Sequence, residues 1–304
     1  PDLGTRFRRF MERLSFGLFA LRDLIKGGYD YIYLIKPYDI PIALVARALS
    51  KAKVIFGSSG TEFFPGYRYL VKKVDHFFAC SAFNARQIEA YCGTRPAVLY
   101  NGVDTRLFTR MKPDGELRNA LSIRDTDIVM MTVGRLVRIK GLPYAIKAVG
   151  RLIEKGYRIK YFILGGGEER EHLQVLVKDI HSEERIVFLG DIHNSVIPRY
   201  YSLACLAVFS SIDESFSISV GEALACGVPT VATAVGGIPE LVGDAGTLVP
   251  PRDEEALARA METLISDASL REELGRKGRR RIEENFGWEM IAEKFETSLR
   301  EYGK

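Results

Sequence analysis

The 304-residue sequence predicts an α/β protein of two open parallel-sheet units in tandem, and three observations carry that expectation. Short apolar runs closed by small or turn-forming residues alternate with helical patterns, the signature of βα repetition. The alternation pauses at a polar, proline-containing bridge, TRMKPDGE at Thr109–Glu116, and then restarts. A chain of this length, 47% apolar and 27% charged, can fill two cores rather than one.

The front unit opens on a helical pattern. TRFRRFMERLSFGLFALRDLIK places Phe7, Phe10, Leu14, Leu18, Leu21 and Ile25 at helical spacing with arginines between them, which predicts a helix packed on the core. The same arginines would also suit a membrane surface. Four apolar runs follow, YDYIYLI, KVIFGSSG, HFFACS and AVLYNG, each predicting a strand. Beyond the bridge, DIVMMTVGRL, RIKYFILGGG, ERIVFLGD, ACLAVFSS, PTVATAVGG and GTLVPP predict six more. SISVGEALACG predicts a helix that starts near Ser217 or Ser219 and stops at Gly227. The expected domains are a front one over residues 1–108, a second over 109–285, and a terminal helix over 286–304 that packs back toward the first.

Composition excludes several classes. The four cysteines are far apart with no CxxC pair and only four histidines are present, so neither a disulfide framework nor a zinc cluster is expected, and a reducing, cytoplasmic setting is the default. The longest apolar stretch, YIYLIKPYDIPIALVARAL, is broken by Lys36, Asp39 and two prolines, short of the roughly 20 apolar residues of a span. Charge is uneven: up to Phe108 there are 16 Lys and Arg against 9 Asp and Glu, although the whole chain is only +4. A basic front suits an anionic acceptor or peripheral attachment to the inner face of a membrane, with no nucleic-acid partner expected.

Ligands of such sheets sit at the carboxyl ends of the strands. In the second unit those ends carry GRLVRIKG, with Arg135 and Lys140 after Gly134, then GGGEER, then Gly190 and Asp191, then SSIDESFSISVGE, then TAVGGIPE. Two cations on a loop between Gly134 and Gly141 can converge on one diphosphate. LGGGEER lacks the G-x-G-x-x-G spacing, which argues against a nicotinamide cofactor. In SSIDESFSISVGEALACGVP, Glu214 stands at the mouth of the helix and Glu222 on the order of 7 Å deeper at 1.5 Å per residue. Carboxylates so offset can hold two diols of one extended ligand, with its phosphates between them at the positive end of the helix.

GRLVRIKG, YNGVD, ESFSISVGEALACGVPTVATAVGGIPELV and RRRIEENFGWEMIAEKF occur in the order and register of a known family. The chain resembles the retaining glycosyltransferases of family 4, which have the GT-B fold: two Rossmann-like domains facing a cleft. The resemblance is specific from about Tyr100 to the C-terminus and looser before it. It implies a hexosyltransferase that moves a sugar from a UDP-, GDP- or ADP-sugar to a hydroxyl of a lipid, lipid-linked saccharide or sugar, with retention, without a metal and without a cofactor. By the same resemblance Arg135 and Lys140 hold the donor diphosphate, Glu214 contacts the transferred sugar, and Glu222 binds the ribose. The amides of Phe216, Ser217 and Ile218 would lie against the sugar and the distal phosphate, and Leu189, Asp191 and Ile192 would frame the base. Asn101–Asp104 is similar to the family's turn at the interdomain crossing.

The front unit departs from the family pattern. GSSGTEFF puts Ser59 where a histidine commonly stands, followed by Gly60, Thr61 and Glu62, so Ser59, Gly60 and Glu62 are the acceptor-side candidates. Ser59 can donate a hydrogen bond but does not titrate near neutrality. The first strand of the family and its glycine-rich loop have no counterpart before RFRRFMERL, and the chain opens on Pro1, so the front domain is expected to be incomplete. That leaves a second reading: a non-catalytic or partner-dependent nucleotide-sugar-binding subunit of the same fold. A GT-B enzyme of a different reaction, such as a sugar phosphorylase or a sugar-nucleotide epimerase, is a third reading; the glutamate pair together with GRLVRIKG favours transfer over epimerisation.

Overall fold

The computed structural model describes residues 3–60, 63–64 and 66–301, with side chains omitted at 3–10, 13–14 and 301. The chain divides into two compact units, residues 1–100 with 293–304, and residues 101–292.

The first unit carries α1 (Leu3–Lys26), β1 (Tyr31–Leu34), α2 (Ile40–Leu49), β2 (Lys53–Ser58), α3 (Tyr67–Leu70), β3 (His76–Ala79), α4 (Ala82–Cys92) and β4 (Ala97–Val98). Its four strands are parallel and lie in sequence order, β1-β2-β3-β4, with no reversal. One face of the sheet packs Phe56, Ala79 and Ile40 with Ala85 and Ile88 of α4. The helix predicted at the front is present, but its buried line differs from the expected one. Gly17 is pressed against Ile42 of α2, and Leu21 and Leu24 pack on Ala43, Ala46 and Val54, whereas Leu18 is exposed. The close approach at Gly17 selects the face, so Leu18, roughly 100° further round the helix, points to solvent. The side chains of Phe7, Phe10 and Leu14 lie outside the described residues.

The second unit carries α5 (Gly115–Ala120), β5 (Ile128–Val133), α6 (Leu142–Glu154), β6 (Ile159–Leu164), α7 (Arg170–Asp179), β7 (Ile186–Gly190), α8 (Ile197–Tyr201), β8 (Leu206–Phe209), α9 (Ile218–Ala225), β9 (Thr230–Thr233), α10 (Ile238–Val242), β10 (Thr247–Val249), α11 (Glu254–Ser266) and α12 (Ala268–Asn285). The last helix, α13 (Trp288–Glu301), begins in the second unit and ends in the first. Within the second unit Trp288 covers Gly102; within the first, Phe295 meets Tyr33 and Phe78 edge-on. The six strands of the second sheet are all parallel, in the order β10-β9-β8-β5-β6-β7. The order reverses between β5 and β8, which is where an open α/β sheet splits its loops and opens a crevice.

The second core explains its sequence. α6 buries Ala145, Ile146, Val149 and Leu152 on one stripe against Leu257, Met261 and Leu264 of α11, while Ile159, Tyr161 and Ile163 line the sheet beneath. The Tyr161 hydroxyl is satisfied by Thr132 on β5, which also donates to the Val208 carbonyl on β8, so a buried polar chain stitches three strands. α12 is held by two arginines. Arg281 donates to the carbonyls of Glu240 and Leu241 and closes the end of α10. Arg279 donates to the carbonyls of Thr105, Phe108 and Ala225, tying the entry segment of the unit to α9.

Arg279→Ala removes the donor shared by those three carbonyls and should lower the unfolding free energy by about 1–3 kcal/mol, read as a reduced urea midpoint. An unchanged midpoint would show that these carbonyls find other partners at no cost.

Candidate active site

The loops after β5 and β8 leave neighbouring strands at the point of reversal. They are laced together at backbone level. The Ile139 carbonyl accepts the Ile212 amide at 2.8 Å, and the Lys140 carbonyl accepts the Ser210 hydroxyl at 3.2 Å. Gly141, at φ 60, has its α-carbon so close to the Ser210 carbonyl that a β-carbon would lie 2.2 Å from that oxygen. No residue with a side chain fits there without moving one loop.

That approach brings two of the sequence candidates together. The Lys140 ammonium donates to the Glu214 carboxylate, and both side chains are largely shielded, 21% and 16% exposed. Glu214 is fixed from its other side by the turn after β9. Gly236, at φ 59, would put a β-carbon 1.4 Å from the Glu214 carbonyl oxygen, and the Gly237 amide donates to that oxygen at 3.3 Å. Sequence reasoning noted TAVGGIPE as a loop at a strand end but gave Gly236 no role. The signal was the paired glycine directly after a strand, and only the fold shows what it abuts.

Arg135 stands on the same loop as Lys140 but is exposed and makes no ion pair among the described residues. The loops after β5, β6 and β7 form one ledge beside it: Gly134 N donates to Leu164, Leu136 N to Gly166, and Gly165 N to Gly190. On this ledge Leu189 and Ile192 are half-buried and Asp191 is exposed, its carboxylate lying against Gly166. The triple glycine of LGGGEER is therefore a packing device among three loops.

The start of α9 is built around a strained residue. Phe216 is buried against Phe286, with ring centroids 5.9 Å apart, and anchors the chain. Ser217 then adopts φ 78, a left-handed conformation that costs a non-glycine residue roughly 1–2 kcal/mol. Its side chain makes no capping hydrogen bond, so the amides that open α9, Ile218 onward, are left to an outside acceptor. The adjacent buried Phe216 holds the chain in this conformation.

Glu222 sits on the second turn of α9 and is only 8% exposed. Burial alone pushes its carboxyl up to about 7, and it receives no hydrogen bond among the described residues. Burial, and then the nearby Glu222 charge, pushes the Tyr201 phenol well above its ordinary range and the Cys226 thiol up to about 12. A desolvated carboxylate without donors suits a ligand that brings its own hydroxyls.

In the first unit Ser59 is exposed just beyond the carboxyl end of β2. The Gly60 carbonyl accepts the Ser58 hydroxyl at 2.9 Å and the Asn84 amide at 3.1 Å. Glu62 lies outside the described residues.

Residues 114–281, more than half of the chain, match the family Glycosyl transferases group 1. The chain belongs to this family. Among curated relatives it is 28% identical over 218 residues to an uncharacterized glycosyltransferase of Methanocaldococcus jannaschii, covering 70% of this chain and 54% of that one. It is 30% identical over 284 residues to the GDP-mannose-dependent monoacylated alpha-(1-6)-phosphatidylinositol monomannoside mannosyltransferase of Corynebacterium glutamicum, covering 85% of this chain and 74% of that one. Among solved structures, sucrose-phosphate synthase of Thermosynechococcus elongatus superposes with a TM-score of 0.84 at 24% identity, covering 97% of this chain and 79% of that one. Anabaena HepE, crystallised with UDP, superposes with a TM-score of 0.82 at 21% identity, covering 95% and 82%. The fold class is therefore GT-B. The chain spans about half the length of the first curated relative.

The Glu222 carboxyl makes a signed prediction. Its folded value lies above the ordinary 4.5, so the fold favours the protonated form. That contribution is full below pH 4.5, declines as pH rises through about 7, and is lost above it. Glu222→Gln should gain stability relative to the native chain as pH rises over this window, by about 3 kcal/mol at most. Urea midpoints of the two proteins across pH 4.5 to 8 test it. A difference that does not vary with pH would mean that Glu222 is not desolvated.

Proposed function

We propose that this chain is a retaining hexosyltransferase that moves a sugar from a nucleotide-diphosphate sugar to a hydroxyl of a carbohydrate or lipid acceptor. The observation that carries the reading is the Lys140–Glu214 pair at the point where the strand order reverses, beside the open start of α9. In the reaction the bond from the anomeric carbon to the diphosphate oxygen breaks and the electron pair leaves with the diphosphate. Negative charge grows on the leaving group and positive charge on the sugar. In this reading Arg135, Lys140 and the amides of Ser217 and Ile218 stabilise the diphosphate, so that no metal is required. In the same reading Glu214 accepts hydrogen bonds from sugar hydroxyls, and its carboxylate also orients Lys140. Glu222, deeper and desolvated, is suited to the ribose diol, and the 189–192 segment to the base.

The donor is a UDP-, GDP- or ADP-sugar. Anabaena HepE in complex with UDP supports a uridine donor, and the GDP-mannose-dependent Corynebacterium relative a guanosine one. The non-catalytic reading is favoured by one observation, the presence of Ser59 where the family commonly carries a histidine. Calorimetric titration with UDP, GDP and ADP in the absence of metal tests the donor site. One nucleotide should bind saturably, and Lys140→Ala should weaken it by about ten-fold or more, the loss of about one charge-assisted hydrogen bond. If none binds, the donor-site assignment fails. If one binds but no sugar transfer to any hydroxyl acceptor or water is detected, the binding-subunit reading replaces transfer.

The acceptor side is proposed to work at the inner face of a membrane. No described helix is long and apolar enough to cross a membrane. On α1, however, Met11, Phe16, Leu18 and Phe19 are exposed, Phe19 at 83%, on the helix that also carries Arg22 and Lys26. The Corynebacterium relative's name, with its phosphatidylinositol acceptor, supports a lipid-borne substrate. The protein should co-sediment with vesicles of phosphatidylglycerol and not with vesicles of phosphatidylcholine, and Phe16→Ser with Phe19→Ser should abolish the difference. Equal recovery with both vesicle types would remove the membrane from this reading.

A further inference from the structure

The segment 137–141, which leads to the Lys140–Glu214 pair, also walls a separate cavity of about 670 Å³, completed by the start of α6, by α7, and by Ile212 and Arg252. Neither Arg135, Lys140, Glu214 nor Glu222 lines it. Its volume falls in the range of about 300–1,000 Å³ usual for small-molecule sites.

The lining has the two parts such a site needs. Val137, Ile139, Pro143 and Tyr144 supply an accessible apolar wall, and Arg138, Lys147 and Arg252 supply positive charge. Against these stands one lining carboxylate, Glu169, which faces His172 at 3.3 Å. Lys147 is only loosely tied to Glu254, at 3.7 Å. Arg138 and Arg252 make no ion pair among the described residues. Two further features point the same way. Arg252 is held at φ 61, a conformation an arginine adopts only where its surroundings impose it, and the turn so formed presents it to the cavity. The 13-residue α6 begins at the cavity with no acidic residue in its first turn, so the positive end of its dipole is not neutralised by its own sequence.

We propose that this cavity binds a small ring-bearing organic phosphate, distinct from the donor. Arg138, Arg252 and Lys147 take the phosphate, because a guanidinium fork matches its oxygens, and the apolar wall takes the ring. Occupancy also reaches the donor loops. Ile139 and Ile212 both line the cavity, and the Ile139 carbonyl accepts the amides of Ile212 at 2.8 Å and Asp213 at 3.4 Å. A ligand that stiffens this join steadies the contact between the two loops that hold Lys140 and Glu214. That second step rests on the donor-site reading above, whereas the binding itself does not.

The probe is phenyl phosphate, titrated calorimetrically into the full chain, with inorganic phosphate alongside. Phenyl phosphate should bind saturably, more tightly than inorganic phosphate, and about ten-fold or more weaker to Arg138→Glu and to Arg252→Gly. Arg252→Gly also relieves the strained backbone, so it keeps the fold while removing the charge. Lys140→Ala should change the affinity by less than about two-fold, since that side chain is not in the lining. Absence of saturable binding, or affinity lost only in Lys140→Ala, overturns the proposal; the latter would place the phosphate in the donor site. Equal affinity for inorganic phosphate would remove the ring-binding wall. Nucleotide titrations on the same samples separate the two readings: phenyl phosphate binding without nucleotide binding keeps the cavity and sinks the donor site.

Discussion

Lys140 and Glu214 are 74 residues apart in sequence and meet because β5 and β8 are neighbours in the sheet. Where the strand order reverses, the connections on either side run to opposite faces, and the two loops at the seam are left facing each other with no helix between them. Every polar feature of the site hangs on that seam. The ledge after β6 and β7 is positioned from one side by the hydrogen bonds of Gly134 and Gly165, and the turn after β9 from the other by Gly236 against Glu214. A different strand order with the same loops would scatter these groups.

The seam also shows how two carboxylates in one short stretch come to different surroundings. Glu214 is shielded but paired with an ammonium, so its charge is compensated where it stands. Glu222, on the second turn of α9, is shielded and makes no ion pair among the described residues, and burial raises its carboxyl to about 7. One carboxylate is thus balanced by a fixed ammonium, and the other is set apart from water without a compensating charge. The strained Ser217 between them is tolerated because Phe216 is locked against Phe286, which in turn lies under Arg281. The closing arginine-rich segment thus supports the site from below while it caps α10.

The first unit is arranged differently. Its described strands run β1-β2-β3-β4 without a reversal, so they form no seam like that of the second unit. Phe16 and Phe19 on α1, with Tyr29, Tyr31 and Tyr33 at the β1 edge, line a cavity of about 530 Å³. Exposed apolar helix faces are costly to leave to water, and this one is the surface on which the membrane proposal above rests.

By itself the sequence determined the βα repetition, the restart after TRMKPDGE, the placing of Arg135, Lys140, Glu214 and Glu222 at or near strand ends, and, through its motifs, the family. These follow from local periodicity and turn chemistry, which neighbouring residues encode. Tertiary structure alone decided that Lys140 pairs with Glu214 while Arg135 stays exposed, that Gly236 clamps the Glu214 backbone, and that Leu18 of α1 faces outward. It alone decided that Glu222 is desolvated rather than on a solvated helix face. Each of these depends on which strand lies beside which and on how closely two backbones approach, and a linear pattern carries no record of either.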